Sequence, residues 1–171
     1  MSNSDRPLAN ILGQLSFSAG LPDRVLQQLA EGAVVEKHPP GSIVFREGSL
    51  NPNFYLVIRG RAALEMCVPA RGCRRLLVLG PGDMMAWSAI LGSARMTATA
   101  VALDELELVV APAEHVERIC EADHDVGYLL MQRIASALAK RLLATRLQLM
   151  DVYSHDSQDQ PAAAGSGDDG P

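Results

Sequence analysis

Between residues 41 and 112 the chain changes character every few residues. GSIVFREG (41–48), NFYLVIRG (53–60), RAALEMCV (61–68), RRLLVL (74–79), MTATAVAL (96–103) and LELVVAP (106–112) are short apolar runs, most of them rich in β-branched or aromatic residues. Gly48, Gly60 and the cluster GPGD at 80–83 punctuate them. Runs this short cannot be helices, and side chains of this kind suit a half-buried pleated surface. A succession of them with glycine turns closes a sandwich or barrel. The expected core is therefore mainly β.

Helices flank it. LPDRVLQQLAEGA (21–33) opens with a proline near its first turn and carries Val25, Leu26 and Leu29 on one side. APAEHVERICEAD (111–123) places Val116, Ile119 and Cys120 inward. A long run over 126–150 has no proline. One apolar stripe on it is Met131, Ile134, Leu138, Leu142, Thr145 and Leu149; a second is Ala139, Leu143, Leu147 and Met150. Two stripes require two surfaces to bury against, one the body of the protein and the other a symmetric partner helix. Homodimerisation through 126–150 is the expectation, with Ile134, Leu138, Leu142 and Leu149 as its seam; a single broad face on the protein's own core is the alternative. Residues 151–171 contain no apolar side chain larger than Ala after Tyr153 and five Asp without Lys or Arg. That composition cannot offset its own ordering entropy and reads as a disordered acidic tail. The organisation is then a lead-in over 1–14, a β unit with short helices over 15–125, the helix over 126–150 and the tail over 151–171.

The whole is 171 residues with a net charge of −5, enough for one domain with its own core. Arg133, Lys140, Arg141 and Arg146 carry the positive charge of 126–150, where no acid occurs, and read as a solvated helix face. No segment is basic enough to bind nucleic acid by charge alone. There is no apolar run of membrane-spanning length and no secretory leader at the start, so the expected location is the cytoplasm. Three cysteines, Cys67, Cys73 and Cys120, have no CxxC spacing and are expected to be free thiols; Cys67 and Cys73 flank a hairpin turn and form the alternative, a redox pair. His38, His115, His124 and His155 form no HxH cluster, which weighs against a metal-dependent β-barrel enzyme. No metal or cofactor is required by the sequence, and no nucleophile–base arrangement is visible.

The marks Gly41, Ile43, Glu47-Gly48, Tyr55, Ile58, Gly60, Gly82-Asp83 and Ala98-Thr99, in that order, resemble the cyclic-nucleotide-binding domain family in its bacterial Crp/Fnr-like branch. The resemblance covers about residues 15–150. It implies a jelly-roll-like β-roll with flanking helices and a long C-terminal helix, a regulatory rather than enzymatic role, and a cyclic nucleotide such as cAMP as ligand. It further implies a phosphate cassette over 82–100, where backbone N–H groups of a short helix and an Arg hold the phosphate and a Glu accepts from the ribose. The family's Gly-Glu pair falls on Ala86-Trp87 and its Arg on Met96. Trp87 cannot act as a carboxylate acceptor, and Met96 leaves a buried phosphate without its partner charge. Gly82, Trp87, Ser88, Ala89, Arg95, Thr97 and Ala98 are the candidate ligand contacts. Among them Arg95 is the cation that a loop shift brings in, and Trp87 either fills the barrel mouth or lines a pocket for a less polar ligand. Two functions follow. One is a sensor that binds a cyclic nucleotide or related small anion and signals through the dimer helix. The other is a degenerate domain that has become a protein-interaction module. A helix-turn-helix of the kind carried by transcription factors of this branch is not seen after 150, so DNA contacts would come from a partner.

Overall fold

The computed structural model describes residues 7–68, 70 and 72–156. Eight strands form two four-stranded antiparallel sheets. One has the order β1 (Val34–His38), β8 (Leu106–Pro112), β3 (Asn53–Arg59), β6 (Met84–Met85); the other has β2 (Ile43–Phe45), β7 (Thr99–Ala102), β4 (Ala62–Val68), β5 (Gly72–Leu79). Apart from the β4–β5 hairpin, neighbours in each sheet are not consecutive in the chain, as in a jelly-roll-like β-roll, the fold class the residues indicate. Helices α1 (Leu8–Gln14) and α2 (Asp23–Glu31) precede the roll, α3 (Ser88–Leu91) interrupts it, and α4 (Ala113–Ala122) and α5 (His124–Asp156) follow. Among the described residues no helix is long and apolar enough to cross a membrane.

The apolar side chains divide into two cores. Phe45, Tyr55, Val57, Met85, Met96, Leu106 and Leu108 fill the inside of the roll. Phe54, Leu56 and Val109, on the opposite face of the same strands, pack against Leu12, Val25, Val116, Leu130 and Ile134 of the helices. The two-residue period of β3 and β8 supplies one core from each face. Gly60 makes the tight turn between β3 and β4: its φ is +80°, and a Cβ there would lie 2.3 Å from the Glu105 carbonyl oxygen.

Several boundaries move. The expected lead-in holds α1, whose Ile11 and Leu12 are buried; seven residues, about two turns with Gly13 among them, are too few to show a period. β1 is not legible either, because Val34 and Val35 are solvent-exposed. The strand expected over 96–103 shrinks to Thr99–Ala102, since Met96 pairs with the loop instead, its N–H donating to Ser49 and its carbonyl accepting from Gly48. α5 takes in the first residues of the expected tail and ends at Asp156; no proline occurs before Pro161 to stop it. At its start Asp123 accepts from the N–H groups of Asp125 and Val126 and pairs with Arg24 at 2.6 Å, which holds its carboxyl below the usual range. The tail expected over 157–171 lies outside the described residues.

The β4–β5 hairpin corrects the thiol assignment. Cys67 and Cys73 lie directly opposite in the ladder, with Cα atoms 3.9 Å apart, and are joined in a disulfide. β5 begins at Gly72 rather than at 74, which is what brings Cys73 into register. Cys120 is free, and burial followed by the charges of Glu117 and Glu121 pushes its thiol up.

Candidate functional site

The segment between β6 and β7 turns inward at Ala86, which adopts φ +58°. That left-handed conformation is one glycine takes freely and alanine does not; the alanine methyl sits where the family has hydrogen. Trp87 then starts α3, whose single turn is closed by the N–H groups of Ile90 and Leu91 donating to the Trp87 carbonyl. Ser88 and Ala89 are buried. The Ala89 N–H, a candidate anion donor, is already committed to the Ala86 carbonyl at 3.0 Å. The Ser88 hydroxyl faces the Met96 sulfur at 3.9 Å.

Phe45, Leu64, Ala86, Trp87, Ser88, Met96, Thr97, Ala98 and Arg141 enclose a cavity of only ≈ 20 Å³. That is room for about one water molecule. Met96 is 2 % exposed and occupies the position from which the family's Arg would approach. Trp87 spans the boundary between this cavity and the helix-side core, touching both. Thr97 and Ala98 line the cavity with it.

Two candidates lie elsewhere. Arg95 points away and donates from Nη1 to the Gly48 carbonyl at 2.5 Å, pinning the loop between β2 and β3. Its backbone bridges Leu50. Gly82 does not reach the cavity; it packs on Ser16, whose hydroxyl donates to the Gly82 carbonyl at 3.2 Å, and a Cβ at Gly82 would meet that oxygen at 2.3 Å.

The residue that sequence reasoning missed is Arg141. Read as part of a solvated helix face, it instead turns toward the roll, and its guanidinium donates to the Met84 carbonyl. Burial lowers its pKa, and the charge of Asp83 offsets part of that effect. A signal existed: Arg141 lies three and seven residues beyond Leu138 and Ile134, on the stripe that faces the body. The seam assigned to a partner helix needs a matching correction. Ile134 is buried in the protein's own core and Leu138 packs on it, while Leu142 is exposed. Leu149 lies outside the residues whose side chains are described. Among the described residues, the large apolar side chains exposed on α5 are Tyr128 near its start and Leu142, Leu143, Leu147 and Met150 further along.

The sequence profile of the cyclic nucleotide-binding domain matches residues 35–123, the whole of the roll from β1 to the end of α4. The chain belongs to the cyclic nucleotide-binding domain family. It falls in the Crp-like branch: 104 residues are 29% identical to the cyclic AMP receptor protein of Thermus thermophilus, covering 58% of this chain and 48% of that protein. The chain thus spans about half the length of this curated relative. The crystal structure of the Thermus thermophilus catabolite activator protein superimposes with a TM-score of 0.65 at 28% identity, over 81% of this chain and 62% of that one. A putative cyclic nucleotide-binding protein from Geobacter metallireducens shares the fold, with a TM-score of 0.68 at 23% identity over 83% of this chain and 99% of the other. Within this Crp-like regulatory domain, the cassette keeps its frame and has apolar contents.

Proposed function

We propose that this domain is a regulatory module that no longer takes a cyclic nucleotide in its roll and acts through α5. The observation that carries the reading is the cassette cavity of ≈ 20 Å³, closed by the domain's own Met96 and Trp87. A cyclic nucleotide needs a pocket of several hundred Å³. It also needs a cation for its phosphate, and a half-desolvated phosphate facing Met96 is strongly disfavoured. Output through α5 is supported by the exposed stripe Leu142, Leu143, Leu147 and Met150, which fits a second copy of the helix or a protein partner.

A second reading keeps a ligand in the cassette. Arg141 brings a guanidinium to the cavity wall from α5, so a small anion admitted there would meet a cation supplied by a different element. Titration of cAMP and cGMP, followed by calorimetry and by the fluorescence of Trp87, the sole tryptophan, separates the two. The proposal expects no saturable signal up to millimolar nucleotide. Saturable quenching at micromolar nucleotide would establish the sensor and overturn the module.

A further inference from the structure

A larger space lies outside the roll, between α5 and the turn that joins β5 to β6. This groove measures ≈ 270 Å³, against ≈ 20 Å³ for the cassette cavity. Arg133, Lys140 and Arg141 line it together with Ser16, Ser136 and Asp83. Three of the four cations of the acid-free stretch 126–150 therefore converge on one groove in a chain whose net charge is −5. Helix geometry explains the convergence, since 133, 136 and 140 recur at steps of three and four on one face, and 141 lies at the edge of that face beside 140.

The charges are not balanced within the groove. Arg133 donates to the Ala19 carbonyl at 2.7 Å and Arg141 to the Met84 carbonyl; among the described residues neither is within ion-pair distance of a carboxylate, though the charge of Asp83 acts on Arg141. Lys140 has no ion-pair partner among the described residues. The single acid, Asp83, accepts from the Gly80 N–H at 2.9 Å and is one charge against three. Ser136 adds a hydroxyl at the same surface, and the Ser16 hydroxyl beside it is held on the Gly82 carbonyl. Cations converging with hydroxyls suit a multiply charged oxyanion, each contact being charge-assisted.

We infer that this groove binds the phosphate of a small phosphorylated molecule, bridging α5 to the β5–β6 turn. The groove lies outside the cassette, with Arg141 as the residue that lines both. A ligand held by Arg133 and Lys140 on one side and by the turn on the other favours the arrangement in which α5 lies against the roll, and so biases the helix that carries the exposed stripe.

The test is calorimetric titration of the full chain with inorganic phosphate and with pyrophosphate, against sodium chloride at matched ionic strength. Saturable binding of one anion per chain is expected, tighter for pyrophosphate. Lys140→Ala, at an exposed position that leaves the fold intact, is expected to weaken it about tenfold or more, the worth of one charge-assisted contact. Arg146→Ala, which removes the one cation of the stretch outside the groove, is expected to leave it unchanged. Heats without saturation overturn the inference, as does equal weakening by Lys140→Ala and Arg146→Ala, which would mean diffuse attraction. Loss through Ser88→Ala with no effect of Lys140→Ala would move the anion to the cassette and overturn it as well. Silence toward cyclic nucleotide leaves these outcomes readable, because the two sites share no variant.

Discussion

Replacing Arg141 with alanine tests whether the roll holds α5 where the helix leaves the body. Up to Leu138 the helix is anchored by apolar contact, Leu130 and Ile134 being buried. Beyond Arg141, Leu142, Leu143, Thr145, Arg146 and Leu147 are all exposed, so the guanidinium on the Met84 carbonyl is the last strong tether. A hydrogen bond from a charged donor contributes roughly 1.5–3 kcal/mol. The desolvation that lowers the Arg141 pKa opposes it, leaving a net loss of about 1 kcal/mol in Arg141→Ala. For a domain of this size that is a fall of about 3 °C in Tm. The local effect is larger relative to what is there. A helix of some 12–15 residues is marginal in water by itself, so the end of α5 depends on its anchor. Hydrogen exchange read by mass spectrometry should show protection over 142–150 falling about tenfold in Arg141→Ala. Arg146→Ala serves as control and should show no change. If protection over 142–150 is high and identical in both variants and in the parent, the tether is not Arg141, and the reasoning fails.

Two further outcomes follow from the fold and the exposed stripe. Gly60→Ala forces an L side chain into φ +80° with its Cβ against the Glu105 carbonyl, and should cost about 2 kcal/mol or more, measured by urea denaturation; a cost below about 0.5 kcal/mol would contradict the turn geometry. Leu143→Asp places a charge in the exposed stripe and should weaken self-association roughly a hundredfold by analytical ultracentrifugation, whereas an unchanged association constant would remove this face from the interface.

The β-roll was legible because its evidence is local and repeated. The glycine turns and short β-branched runs from Gly41 to Pro112 constrain strands whatever else the chain does. The chemistry of Trp87 and Met96 was legible as residue type, since a side chain's identity states which hydrogen bonds and charges it can offer. α1 and β1 were not, the first having only seven residues and the second being an exposed edge without a buried period. Nor was the Cys67–Cys73 bond, which depends on a register set by where β5 begins.

Sequence alone therefore determined the fold class and which residue types stand at 87 and 96. Tertiary structure decided where the cations point. Arg95, adjacent to Met96 in the chain, turns to Gly48 because its backbone pairs with Leu50; Arg141, 45 positions on, reaches the cavity wall because α5 packs along the roll. Charge and size are properties of a residue and can be read one letter at a time. Direction depends on what packs behind the backbone, and only the folded chain contains that.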